Sequence, residues 1–360
     1  MATTDLRRSL TELTGPLLVG LFLAVLLVVL AVDLARQVVV GTLAVSQLSS
    51  LVWSGVVDSL YIGLAAIGLS MTYSILQFAN FAHGDLITTG AFTGWTVAYV
   101  IGGVGAADLG SRLLIDADGG AQASELGIDI VTSPVAILLG LVAAAALTVL
   151  VALFVDRVVF RRLRDADGIT VLIASVGVAL AVRYLIALVY TQDSRVIVAS
   201  APTAFGVNLH EATLVVIAVV LIVGVHLLLQ YTKLGKSMRA MADNKSLALV
   251  TGIPTERVVA ATWVIGAGLA GAAGYLIVLD RGQISINLGW FLLLLIFAGT
   301  ILGGIGSIYG AIAGSLVIGL TLNVSLVWIP ADLNYIAAFS LMILVLLFRP
   351  DGLFGGVETT

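Results

Sequence analysis

TLVVIAVVLIVGVHLLLQYTKLGKSMRAMADNKSLALVTGIPTER, residues Thr213 to Arg257, passes from a wholly apolar stretch straight into a basic one. Thr213–Tyr231 carries no Asp, Glu, Lys or Arg and is about as long as the roughly 20 residues that cross a bilayer as a helix. Lys233, Lys236, Arg239, Lys245 and Arg257 follow it, and positive charge close to a span end stays on the cytoplasmic side. Met238–Thr251 lacks Pro and Gly, Gly252 stops it and Pro254 prevents a restart, which predicts one helix of about four turns. Met238, Met241, Leu247 and Val250 give that helix apolar positions. It is either a solvated interfacial helix or a surface shown to a cytoplasmic partner.

The rest of the chain agrees with a membrane setting. Hydrophobic residues make up 60% and charged residues 11%, against roughly 45–50% and 25% in soluble domains. Mean hydropathy is +1.15. The sequence has no cysteine, which excludes disulfides, thiolate metal sites and a Cys nucleophile. With a net charge of -4 there is no basic field to neutralise phosphates, so no nucleic-acid partner is expected. The predicted fold is all-α, a polytopic integral membrane helical bundle of about 8–10 transmembrane helices, with helix breaks near 78–85 and 303–310.

Hydropathy places spans at Pro16–Val32, Val56–Phe78, Asp85–Gly102, Pro134–Val155, Thr170–Tyr190, Thr213–Tyr231, Val258–Leu279, Trp290–Leu302, Ile308–Trp328 and Tyr335–Phe348. Ten crossings put both termini in the cytoplasm. Arg7, Arg8, Arg157, Arg161, Arg162, Arg164, Arg349 and the five basic residues of the opening stretch then lie inside. Only Arg36, Arg112, Arg195 and Arg281 lie outside, and Arg183 falls within a span. That asymmetry fits the orientation. Trp290–Leu302 is short enough to be re-entrant, which would flip everything after it. The first span reads as an uncleaved anchor, because its apolar run is long and Asp33 is poorly placed for signal cleavage. The loop 103–133 is rich in Gly and Asp, an external linker without the Asx-x-Asx spacing of a calcium loop, so no metal is expected.

Two glycine motifs imitate nucleotide sites. Gly235–Lys236–Ser237 ends like a phosphate loop, but the leading position is Gln230 and a span precedes it instead of a strand. Gly266–Gly271 spells a dinucleotide fingerprint inside an apolar helix, where Gly266, Ala270 and Gly274 form a stripe that lets helix backbones approach. No cofactor is expected in this chain; if ATP drives it, another subunit binds the ATP. Gln77–Asp85 interrupts a hairpin of two apolar helices with polar groups. Asn80 and His83 bring donors and acceptors, Gly84 permits a bend and Asp85 can cap the next helix. The segment is either a plain cytoplasmic turn or an element lining a passage. Gly303–Gly310 is a second glycine-rich interruption, and paired helix breaks point to a translocation site. Arg183 and Asp58 are the few ion-coupling candidates; His83, His210 and His226 are scattered and form no catalytic cluster.

These motifs resemble those of one family. NFAHGD at Asn80–Asp85, LGKSMRAMADNKSLALVTGIPTERV at Leu234–Val258, LGGIGSIYGAIAG at Leu302–Gly314 and LVLLFRPDGLFG at Leu344–Gly355 are similar, in order, to motifs of the branched-chain amino-acid permeases of bacterial and archaeal ABC importers. The resemblance covers about Ser54 to Gly355. It implies a permease domain at 54–355 with its cytoplasmic coupling loop at 232–257. Residues 1–53 are then an extra anchor with its tail and linker, and 356–360 a C-terminal tail. It further implies a multi-pass subunit of the prokaryotic cell membrane, without catalytic residues. The expected partners are ABC ATPase subunits, a second permease subunit, an external solute-binding protein and membrane lipid. Asn80, Phe81, His83, Gly84 and Asn323 are the expected pathway lining, with the external protein supplying affinity. Arg239, Ala242, Asn244, Ala248 and Gly252 are the expected ATPase-coupling positions. Branched-chain amino acids are the expected cargo. Urea or short amides are the alternative, since the family includes such permeases, and an ion-coupled secondary transporter is a more remote one.

Overall fold

The computed structural model describes residues 25–26, 28–104, 113, 127–198, 202–204 and 207–354. The termini, most of the loop 103–133 and most of the first span lie outside the described residues, including Arg7, Arg8 and Arg112. The described residues form helices α1 (Val45–Leu76), α2 (Ala82–Gly102), α3 (Pro134–Val158), α4 (Gly168–Tyr190), α5 (Leu209–Tyr231), α6 (Lys233–Asp243), α7 (Lys245–Val250), α8 (Thr255–Arg281), α9 (Leu288–Gly303), α10 (Ile308–Val324) and α11 (Asn334–Phe348). A helical stretch at 28–40 precedes them. Among the described residues, seven helices are long and apolar enough to cross a membrane: α1, α3, α4, α5, α8, α10 and α11, with α3, α10 and α11 counted with their short 3-10 extensions. The chain is an all-α polytopic membrane bundle.

The centre is α1, α2, α8, α9 and α10, whose helices pack on one another through small residues. A Cβ on Gly289 would lie 1.8 Å from the Gly84 carbonyl oxygen, and one on Gly274 would lie 2.0 Å from that of Ile87. Backbones in contact at that range leave room for hydrogen only. Lipid supplies little hydrophobic drive between helices, so such close packing carries much of the association. Trp95, Trp263, Tyr61, Tyr99 and Tyr275 fill the remaining interior and are fully buried. Trp95 and Tyr275 stack at 4.8 Å, and the Trp95 indole donates to the Tyr275 carbonyl at 3.1 Å.

Helix α9 decides the topology after residue 290. Just before it, β2 (Gln283–Ile284) pairs antiparallel with β1 (Arg195–Val196) in the loop that joins α4 to α5. At its other end Leu353 N–H donates to the Leu302 carbonyl at 2.8 Å, and Ile305–Tyr309 share a cavity with Met238 and Arg239 of α6. The helix therefore runs from the α4–α5 loop side to the α6 side, crosses, and leaves the following spans unflipped. Its 16 residues give about 24 Å of rise, short for a span.

The loop 232–257 departs from expectation. One helix of four turns was predicted; the chain instead breaks at Asn244 (φ -156°, ψ 101°), between α6 and α7. The Asn244 side chain accepts from Leu247 N–H at 2.9 Å, so it caps the second helix better than it would continue the first. Gly252 (φ +83°) and Pro254 end the segment where the sequence puts the stop. Gly235, the false phosphate-loop glycine, is a packing residue. A Cβ there would sit 2.3 Å from the Leu229 carbonyl oxygen, so glycine alone lets α6 fold back on the end of α5.

Candidate translocation site and cytoplasmic surface

α1 ends at Gln77, which takes a left-handed conformation (φ 59°), and α2 does not restart at the same level. Residues 77–81 climb back into the bundle. The Phe81 N–H donates to Ser175 Oγ, two turns into α4, at 3.0 Å. His83 Nε2 bonds the Ala65 carbonyl at 2.9 Å, about three turns above the end of α1. The N-terminus of α2 thus starts inside the bundle, beside α1 and α4 instead of level with the end of α1.

Asn80 organises this turn. Its side-chain oxygen accepts from Ala82 N–H at 3.1 Å and its carbonyl accepts from His83 N–H at 3.2 Å. The residue is fully buried, and its Nδ2 has no hydrogen-bond partner among the described residues. Phe81 meets Phe297 of α9 at 5.2 Å, and Phe78 meets Phe160 at 5.2 Å. His83 is 1% exposed, so in this conformation neither polar side chain of the turn faces an open passage.

Asp85 does not cap α2. It lies in the first turn, where Arg183 reaches it with two hydrogen bonds of 2.9 and 3.0 Å, Nε to Oδ1 and Nη2 to Oδ2. Arg183 also lies over the Trp290 ring at 4.8 Å. Neither charge is left alone in the bundle. A carboxylate within hydrocarbon needs a charge partner more than a helix end needs a cap.

Asn323, grouped with Asn80 by sequence, belongs to a different cluster nearer the outer end. Its Nδ2 donates to Asp58 Oδ2 at 2.9 Å, and Asp58 also accepts from the Tyr61 hydroxyl. Arg281 Nη2 donates to that hydroxyl at 2.8 Å and stands 3.9 Å from Asp58 Oδ2. Arg281 is also part of the wall of a cavity of about 200 Å³, with Ser194, Gln283, Ser285 and Tyr335 as polar neighbours and Ile277, Leu292 and Leu295 among the apolar ones. The sequence reading gave Arg281 no role. Its signal was a cation at the end of an outward span, where few cations occur.

On the inner side, α6 and α7 lie under the bundle. Met238, Met241 and Ala248 are buried against it, while Leu247, Leu249 and Val250 are 60%, 63% and 84% exposed. Ala242 lines a cavity of about 290 Å³ with Met71, Met238, Gly306, Tyr309 and Phe354. Arg239 donates to Gln230 at 2.9 Å, Gln230 donates to the Tyr309 hydroxyl at 2.9 Å, and His226 Nδ1 bonds the same hydroxyl at 2.8 Å. Asn244 and Gly252 are exposed at the two ends of α7. The relay ties α6 to the glycine turn between α9 and α10, where Gly304 and Gly306 have positive φ.

Residues 51–347 match the family model described as branched-chain amino acid transport system / permease component. The chain is 27% identical over 309 residues to the high-affinity branched-chain amino acid transport system permease protein LivH of Escherichia coli (strain K12), covering 82% of this chain and 91% of that one. It is 28% identical over 305 residues to BraD, the protein of the same description in Pseudomonas aeruginosa, covering 82% and 92%. A probable branched-chain amino acid transport permease protein LivH of Methanocaldococcus jannaschii is 27% identical over 312 residues, covering 81% and 88%. No solved structure shows significant similarity to the chain. The four motifs lie within or next to the matched region, and the chain is a multi-pass transport subunit of the prokaryotic cell membrane. It belongs to the permease component family of branched-chain amino acid transport systems.

Proposed function

We propose that this chain forms the translocation path of an ABC importer for branched-chain amino acids, with ATP hydrolysed by a separate subunit. The observation that carries the cargo class is the outer cavity, where the Arg281 guanidinium stands beside an aliphatic wall of Ile277, Leu292 and Leu295. A guanidinium complements a carboxylate, and the aliphatic wall complements a branched side chain. Urea and short amides offer neither feature. An external solute-binding protein would deliver the cargo, and a second permease subunit would complete the path. The permease itself makes no covalent bond.

Coupling follows from the inner surface. The exposed Leu247, Leu249 and Val250 are an apolar contact for an ATPase groove, rimmed by Lys245. Ala248 seats α7 on this chain, and Gly252 turns the chain from α7 toward α8. A push on α6 reaches Tyr309 through Arg239 and Gln230, and so moves the glycine turn and the end of α1. Such rigid-element movement is how nucleotide closure becomes alternating access.

Vesicles holding the permease with its ATPase and binding protein are expected to take up leucine only with ATP on the ATPase side. Isoleucine and valine should compete, and urea and acetamide should not. Uptake of urea without leucine would replace the reading with the amide alternative. ATP-independent leucine uptake that stops when ion gradients collapse would replace it with a secondary transporter.

The same vesicles test the inner turn. Because the chain has no cysteine, Asn80→Cys and His83→Cys are each the sole thiol. Both sites are buried in the present conformation, so a membrane-impermeant thiol reagent should label them in one nucleotide state and spare them in another. Equal labelling in all states would remove this turn from the pathway.

A further inference from the structure

We propose that the groove between the cytoplasmic ends of α3 and α8 binds an anionic phospholipid, headgroup in the groove and one acyl chain along α3. The groove, of about 520 Å³, is lined by Arg157, Arg161, Arg164 and Arg257 together with Asp156 and Glu256, and by Leu153, Phe154 and Ala260. Four cations face two carboxylates, and both carboxylates are already taken. Glu256 accepts from Arg164 at 2.5 Å and lies 3.4 Å from Arg161. Asp156 accepts from Arg164 at 2.9 Å and from the Trp263 indole at 2.9 Å. Arg157 and Arg257 are exposed and make no ion pair or hydrogen bond among the described residues. The groove therefore has two uncompensated positive charges at its rim.

An ordinary cytoplasmic flank of a span is also basic and also meets lipid-facing apolar residues, as on α4 and α5; what differs here is that arginines from the end of α3 and from α8 converge on one groove. Here Leu147, Leu150, Phe154 and Val158 follow one another at three- and four-residue spacing along one face of α3, exposed by 36%, 61%, 66% and 40%. The track runs from the arginines toward the membrane interior, as an acyl chain does from its phosphate. A free phosphate would use the guanidiniums and leave the track bare. Basic pockets between helices on the cytoplasmic side are suited to anionic headgroups, and guanidinium pairs phosphate with two hydrogen bonds.

The test uses the full-length chain purified in detergent and titrated with phosphatidylglycerol and phosphatidylcholine. Native mass spectrometry counts the lipid retained. The wild type should hold phosphatidylglycerol in preference to phosphatidylcholine. Arg157→Gln with Arg257→Gln should weaken that retention about twenty-fivefold, at about fivefold for each cation near an anionic surface. Phe154→Ser, which keeps every charge, should weaken it too, and millimolar inorganic phosphate should not displace the lipid. Unchanged retention in the double variant, or displacement by phosphate, would overturn the proposal. If the neutral pair does not fold, Phe154→Ser decides. Weakened retention in that variant, which keeps every charge, supports a lipid on the track, and unchanged retention overturns it.

Discussion

Replacing Gly289 with valine abolishes uptake and leaves little correctly folded chain. The Cβ alone would lie 1.8 Å from the Gly84 carbonyl oxygen and 2.6 Å from Thr88 Oγ1. Neither neighbour can yield, because Gly84 is backbone in the first turn of α2 and Thr88 accepts the Gly289 N–H at 3.0 Å. Separating α2 from α9 would cost at least the ~1–3 kcal/mol of ordinary overpacking. It would also move the turn that carries Asn80. Gly268→Ala is the control. Its added carbon meets nothing nearer than Val149 Cγ2 at 3.6 Å, so yield and uptake should match the wild type. Size-exclusion yield and vesicle uptake measure both. A Gly289→Val protein with normal uptake would show that α2 and α9 do not touch in this way.

Breaking the Asp85–Arg183 pair has the second largest effect. Asp85 is fully buried and the Arg183 side chain is 11% exposed, so either single change strands a charge inside the bundle. Asp85→Asn or Arg183→Gln should each cost about 3–5 kcal/mol, the penalty for a buried pair that loses one partner. The double variant should recover a large part of this, since no isolated charge remains. Thermal unfolding in nanodiscs of the four proteins closes the cycle. If the double variant is as unstable as the sum of the singles, the pair is not what holds these residues.

Hydropathy made the long spans legible because lipid demands an unbroken apolar run, and α3, α4, α5 and α8 lie within a few residues of where that run ends. Helix α2 was also placed, although His83, Asp85 and its threonines make it too polar to be counted among the seven spans. Its start inside the bundle was not legible. Nothing in residues 77–85 shows that Ser175 and Ala65 will hold them two or three turns deep. Asp85 was misread for the same reason. A cap is a local pattern, whereas its true partner is 98 residues away. Asn323 was grouped with Asn80 by residue type, and only helix packing sends it to Asp58. The break at Asn244 did have a local signal, since Asn before Lys-Ser-Leu is as good a helix start as it is a poor helix interior. The cytoplasmic face was more legible, because Leu247 and Val250 were already marked as apolar in a basic setting.

The early polar helix also imposes an order on biosynthesis. α2 leaves the ribosome long before the groups that neutralise it: Ser175 and Arg183 on α4, Gly289 on α9 and the Tyr275 carbonyl that receives Trp95. Until α4 is made, Asp85 and the open end of α2 have no partner in the chain that could hold them within hydrocarbon. For about a hundred residues of synthesis, Asp85 is therefore favoured in a wet setting over hydrocarbon. The helix settles only when α4 arrives, and α8 and α9 then close over it.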